Sequence, residues 1–241
     1  VRPYCLHIGG YYHMSGGIRA LHVLRDEIEA RGSRAVMSYR ERPADCIAVY
    51  PEVTPDNPLG SDRIIRWLLN RAHLPNDGPI YAWETGMGDW PLLTVDIIEP
   101  DLWTPYDGPR SGVAYWVGKG HADPAVIPDG AEHIGRHNYP TRPQLAARLR
   151  TLDHLISFDP FTAVNLEAVL SGTPVLIHAP TNQWTREQVT AHGWTPYGIA
   201  WTPDQLDQAR LEVKHAHAHY ETLRATFTQR IDAFYEATHT L

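Results

Sequence analysis

The chain has 241 residues, 43% of them hydrophobic and 20% charged, enough to bury one large core or two small ones. Its net charge of −7 is spread evenly, which excludes the broad basic footprint of a general nucleic-acid binder while leaving room for a local patch. No apolar run reaches the roughly 20 residues of a membrane span. Val1-Arg2-Pro3 leads straight into a strand-like run, so no signal peptide is expected, and the missing initiator Met suggests a processed or trimmed start. Cys5 and Cys46 lie in strand-like runs and read as buried thiols of a cytosolic protein rather than a disulfide or metal pair.

In chain order, residues 4–8 read as a strand running into Gly9-Gly10, and Ser15-Gly16-Gly17 opens a helix with Ile18, Leu21, Leu24 and Ile28 at helical spacing, stopped by Gly32. Strands follow at 33–39 and 46–50, the latter ended by Pro51. Ser61 is positioned to cap a helix carrying Ile64, Ile65, Leu68 and Leu69, residues 80–83 form another strand, and 93–98 a weaker one. Strands alternating with helices predict a parallel, doubly wound sheet. The glycines between 9 and 17 then sit at the carboxyl edge of that sheet, where phosphates meet helix N-termini. They match neither G-x-G-x-x-G nor a Walker A loop, and the alternative is that they only supply positive φ for tight turns. His13 is either a base or an exposed loop histidine. Glu84, just past the strand at 80–83, is either a substrate contact and general base or a surface acid.

Residues 106–112 are rich in turn formers and read as a linker. A strand at 113–117 ends in Gly118-Lys119-Gly120, which holds one of only two lysines, the other being Lys214. Glycines there let a backbone approach a ligand closely, and a lysine offsets diphosphate charge; a lysine in a surface turn is the plainer reading. A short strand at 132–134, a capping box at Thr141-x-x-Gln144 opening a helix over 143–152, and a strand at 154–158 follow. Further on come a helix after Asp159-Pro160 closed by Gly172, a strand at 174–178, a short helix at 185–191, and a short strand at 198–201. A second capping box, Thr202-x-x-Gln205, starts a long helical tail with a bend near its middle. His215 and His219 in that tail sit one turn apart; a solvated helix face explains them better than a metal site, since no third ligand is evident.

The stretch from Asp159 to Val175 contains two acids in an otherwise apolar run. Asp159 reads as an N-cap with Pro160 at the first helical position. Glu167, surrounded by Leu166, Ala168, Val169 and Leu170, is costly to bury without a partner. Eight residues of helix rise about 12 Å, close to the reach between the sugar and the ribose of a nucleotide sugar.

This stretch resembles the donor-site signature of retaining, glycogen-synthase-like GT-B glycosyltransferases, in which Glu-x7-Glu precedes a Gly-x-Pro-Val strand entry like Gly172-Thr173-Pro174-Val175. The resemblance implies an α/β fold of two Rossmann-like parallel-sheet domains facing a cleft, with a C-terminal helix crossing back to the first domain. The expected divisions are an acceptor-side domain at 1–108, a nucleotide-sugar domain at 109–218, and the returning helix at 219–241. It carries Asp159 to the acid that contacts donor-sugar hydroxyls and Glu167 to the acid that binds the ribose. Gly118 and Lys119 become the basic diphosphate clamp, Gly16 and Gly17 the glycine loop beneath the phosphates, and Phe161 and Thr162 further donor contacts. Three departures stand out: Asp159 replaces Glu, the second clamp cation has only Arg136 and Arg142 as candidates, and the first domain is short.

The implied activity is transfer of a sugar from a UDP- or GDP-type donor to an acceptor hydroxyl, retaining and without a required metal or other cofactor, since no Asp-x-Asp is present. The leaving diphosphate would rest on Lys119, helix N-termini and Arg136. If the reaction inverts, His13 or Glu84 is the first candidate base. Alternatives are a nucleotide-sugar 2-epimerase of the same architecture and a non-catalytic sugar- or nucleotide-binding module. The acceptor stays open among a glycan, a small metabolite, a protein and a hydroxymethylated DNA base; the compact size is reminiscent of phage-encoded glycosyltransferases. The expected location is cytoplasmic, the host cytoplasm if phage-encoded.

Overall fold

A computed structural model describes residues 2–8, 15–70, 77–135, 137–179, 185–191 and 196–241. The chain is α/β and contains two five-stranded parallel sheets. It divides into one unit of Val1–Ile97 with Arg224–Leu241 and a second of Ile98–Leu223. No helix among the described residues is long and apolar enough to cross a membrane.

In the first unit the strands are β1 (Tyr4–His7), β2 (Ala35–Ser38), β3 (Ile47–Pro51), β4 (Arg63–Leu68) and β5 (Ile80–Ala82), with α1 (Gly16–Ala30) between β1 and β2. The sheet order is β2-β1-β3-β4-β5. Ser15 caps α1, its hydroxyl accepting from the Ile18 amide at 3.3 Å. Leu21, Leu24 and Ile28 are buried, and Gly32 takes the left-handed conformation (φ 86°) that ends the helix.

The expected helix after Ser61 is a strand. β4 lies between β3 and β5, and the successive residues Ile65, Arg66, Trp67 and Leu68, which point to alternate faces, are all buried, so the alternation that marks a half-exposed strand is missing. The β-branched pair Ile64-Ile65 favours the extended form. Ser61 caps nothing; its hydroxyl donates to the Cys46 carbonyl at 2.6 Å. Arg66, fully buried inside β4, donates to both oxygens of Asp77 and to the Thr54 carbonyl, and it lies over the Tyr50 ring. The weak strand expected at 93–98 is also absent: its only ladder contact is an isolated bridge just before it, from Ala82 to Leu92.

The end of the chain packs within this first unit. Phe234 meets the Tyr81 ring edge-on at 4.9 Å, Tyr4 shares a hydrogen bond with Thr238 at 2.7 Å, and Arg31 pairs with Asp232 at 2.6 Å. Cys5 and Cys46 are both buried and free, and burial pushes the Cys5 thiol up to about 12.

The second unit holds β6 (Val113–Trp116), β7 (Glu132–His133), α2 (Arg142–Leu149), β8 (His154–Ser157), α3 (Ala163–Leu170), β9 (Val175–Ile177), α4 (Arg186–Ala191), β10 (Ile199–Ala200) and α5 (Leu206–Glu212). A 3-10 turn over Val213–His215 interrupts the tail before α6 (Ala216–Thr238), nearer the start of the tail than the middle, where a bend was expected. The sheet order is β10-β9-β8-β6-β7. Both arms of the Thr141–Gln144 capping box form. At Thr202 the side chain makes no cap bond, and Gln205 instead accepts from the Trp201 amide at 2.9 Å. Residues 106–112, expected as a linker, belong to this unit. Arg110 there donates to the Thr173 hydroxyl at 2.7 Å and the Ser171 carbonyl at 2.9 Å, and a Cβ on Gly172 would lie 2.6 Å from its guanidinium.

Candidate functional site

The strand order of the second unit sets the place. The chain lays down β6, crosses to β7 on one side, and returns to β8 on the other. Connections therefore leave β6 and β8 in opposite directions, which makes their carboxyl ends the switch point of the sheet, the place where ligands of parallel sheets usually bind.

Gly118-Lys119-Gly120 leaves β6 at this point and is pressed against the exit of β8. Gly118 has φ 57°, and a Cβ there would lie 2.5 Å from Asp159 Oδ2 and 2.6 Å from Trp116 Nε1. A Cβ on Gly120 would lie 1.8 Å from the Phe158 carbonyl oxygen. Both positions are thus closed to any side chain. The Lys119 amide donates to Asp159 Oδ2 at 3.0 Å and the Phe161 amide to Oδ1 at 3.3 Å. The Asn165 side chain donates to the Asp159 carbonyl at 2.9 Å. Lys119 itself is exposed. Among the described residues the buried indole N–H of Trp116 has no hydrogen-bond partner.

Asp159 is not the cap of the following helix. α3 begins at Ala163 with Thr162 in the cap position and no side-chain cap bond. The carboxylate of Asp159, almost wholly buried, instead ties the lysine loop to the segment leading into α3. The seven residues between the two acids are therefore only partly helical, and Ala163 to Glu167 rises about 6 Å. Phe161 and Thr162 are half-buried beside this junction.

Glu167 finds a partner within the chain. Its Oε1 lies 3.1 Å from Nη1 of Arg142, the first residue of α2, with side-chain exposures of 2% and 9%. The guanidinium lies over the Trp103 ring, 5.0 Å from its centroid, and its Nε is 3.3 Å from the exposed carboxylate of Glu99. Such a buried pair requires both members, because removing one leaves an uncompensated charge costing about 3–5 kcal/mol. Sequence reading anticipated the need for a partner and named Arg142 only as a candidate diphosphate contact. The link spans 25 positions and exists only once α2 and α3 pack.

Gly16 and Gly17 form the start of α1 without positive φ, so the tight-turn account of them does not apply. A Cβ on Gly17 would meet Leu69 Cδ1 at an ordinary 3.4 Å. Glu84 follows β5 in the first unit, 5% exposed. Burial raises its carboxyl to about 8, with the charge of Arg230 pulling the other way. At neutral pH it is a proton donor more than a base. His13, Arg136 and the Gly9-Gly10 pair lie outside the described residues. Lys119, Gly118, Asp159, Phe161, Thr162 and Glu167 all belong to the second unit; Gly16, Gly17 and Glu84 belong to the first.

Two residues that sequence reading passed over stand at the same carboxyl edge. His178 directly follows β9, and its Nε2 lies 3.3 Å from Asp123 Oδ2. The usable signal was a polar residue at the end of an apolar parallel strand. His215 and His219 both pack on the Tyr197 ring at 5.6 Å, and among the described residues no group of three or more His, Cys, Asp or Glu is arranged to hold a metal.

No protein-family model matches the chain, and no curated protein is significantly similar to it.

Proposed function

We propose that the chain is a GT-B-type glycosyltransferase that moves a sugar from a nucleoside-diphosphate donor to an acceptor hydroxyl, with retention of configuration and without an obligatory metal. The observation that carries this reading is the junction between β6 and β8, where a glycine-flanked lysine and a buried aspartate are joined by a 3.0 Å amide–carboxylate bond. It lies where α/β sheets take phosphate-bearing ligands. In this reading the exposed ammonium of Lys119 and the first amides of α3 receive the diphosphate. The bond from the anomeric carbon to the phosphate oxygen breaks, the acceptor oxygen bonds to the same face, and the acceptor's proton passes to the departing phosphate. Asp159 acts by holding the lysine loop, and Glu167 is the acid that meets the ribose. The acceptor remains one of the four classes named above.

Incubation with a panel of UDP- and GDP-sugars tests the reading. Slow donor hydrolysis, accelerated by an acceptor and lowered about 100- to 1000-fold in Lys119→Ala, is the expected result. An isomerised donor would instead indicate an epimerase. Glu167→Gln is the variant to use for the ribose contact, since it keeps the shape while Glu167→Ala strands Arg142. A second reading has its own support: both acids already have partners within the chain, as they would in a binding module without turnover. Tight nucleotide binding with an unchanged donor after prolonged incubation would select it.

A further inference from the structure

His178 is the first residue past β9. Its amide donates to the Ser157 carbonyl at 2.9 Å, which continues the β8–β9 register and sets it opposite Phe158, whose ring it meets edge-on at 5.9 Å. Its Nε2 faces Asp123 Oδ2 at 3.3 Å with the two side chains 33% and 45% exposed. Asp123 is itself oriented, because its Oδ1 accepts from the Ala125 amide at 3.0 Å and starts the short turn Pro124–Val126. Among the described residues no hydrogen bond is made to Nδ1 of His178. The pair is therefore a histidine with one nitrogen committed to a carboxylate and the other without a hydrogen bond among the described residues, on the edge that carries Lys119.

The chemistry of that arrangement is specific. A carboxylate partner holds the proton on Nε2 and leaves Nδ1 a bare lone pair in the neutral ring. Facing a phosphate oxygen, that lone pair offers an acceptor to an acceptor. A bond forms only when Nδ1 takes up a proton, and Asp123 then balances the imidazolium charge. On the described connections that follow β6, β8 and β10, titratable groups near the strand ends in sequence include Lys119, His121, Asp159 and Asp204. Asp159 is already satisfied by backbone amides, which leaves Asp123 as the acid paired with the ring.

We propose that His178, steadied by Asp123, is a second cationic contact to the donor's diphosphate, and that binding the diphosphate takes one proton from solvent. The inference rests on the glycosyltransferase reading for the identity of the ligand, though not for the proton.

Calorimetry with UDP, GDP and inorganic pyrophosphate between pH 5.5 and 8.5 tests it, run in two buffers of different ionisation enthalpy to count protons. The ligand's own titration is common to all proteins, so the comparison is between wild type and variants. The expected wild-type affinity falls as pH rises across this range, by at most about tenfold per pH unit, and binding takes up more protons than it does in His178→Gln. An identical pH profile and proton count in wild type and His178→Gln overturns the proposal while leaving the transferase reading in place. Pyrophosphate bound with His178-dependent proton uptake, and no nucleotide bound, upholds the proposal and removes the transferase reading. Binding of neither probe removes both.

Discussion

Glu84 is a residue of the first unit whose protonation bears on stability near neutral pH. Burial raises its carboxyl from 4.5 to about 8, so between those values the folded chain holds a proton that the unfolded chain has released. Stability must therefore decline as pH rises through that window, by at most about 1.4 kcal/mol per pH unit, and the loss is complete above the folded value. Glu84→Gln removes this dependence. Urea titrations at pH 5 and 8.5 are expected to show a wild-type chain that weakens at the higher pH, with the variant weakening distinctly less; equal slopes would mean that Glu84 is ionised in the folded state. Arg142 is the residue-scale counterpart in the second unit. There a charge is kept by pairing it with Glu167 and laying it on Trp103, whereas Glu84 is kept mainly by protonation.

At the scale of elements, the glycines separate by mechanism. Gly17 sits in α1 with an ordinary contact to Leu69, while Gly120 faces a backbone oxygen at 1.8 Å. Gly17→Ala is expected to raise stability by about 0.5–1 kcal/mol, the usual gain for alanine over glycine in a helix. Gly120→Ala has to move the β8 exit and is expected to lower stability by about 1–3 kcal/mol, as measured by thermal melts. If Gly17→Ala stabilises the chain yet weakens nucleotide-sugar binding, its smallness serves a ligand. Much at this scale was legible in the sequence. The cap at Ser15, the stop at Gly32 and the capping box at Thr141 are local devices that formed as read, whereas the caps read at Ser61, Asp159 and Thr202 did not, because there the neighbouring strands and loops claim the same side chains. β4 was not legible, because a strand covered on both faces loses its periodicity and Ile64, Ile65, Leu68 and Leu69 mimic a helical stripe. Asp159 was half legible: its spacing to Glu167 marked the right junction, while its bond to the Lys119 amide depends on β6 and β8 being neighbours, which no local pattern encodes. The Arg142–Glu167 pair and the His178–Asp123 pair were hidden for the same reason.

For the molecule as a whole, the first unit is completed by residues from the far end of the chain. Tyr4 and Tyr81 are covered by Phe234, Arg31 by Asp232, and Thr94 receives a 2.6 Å bond from Arg230. A chain ending at residue 223 is expected to lose the cooperative unfolding of the first unit and to retain that of the second, followed by near-ultraviolet dichroism and amide exchange. Retained protection of β1 and β5 amides in the shortened chain would count against this. Sequence periodicity announced a long terminal helix, but its apolar positions alone did not say which sheet they serve. Parallel sheets built from residues distant in sequence also carry a high loop-closure cost, and the first unit cannot finish folding before residues 224–241 are made.

The junction at Lys119 separates two properties that usually travel together. The backbone of the loop is anchored through an aspartate on the neighbouring strand, while the ammonium stands in solvent on four methylenes. Position and charge are therefore set by different residues. With only one other lysine, Lys214, in the chain, an amine-reactive reagent reads this loop almost directly. A ligand that occupies the switch point should shield one of two side-chain amines and leave the other as an internal reference, so occupancy becomes a ratio within a single molecule.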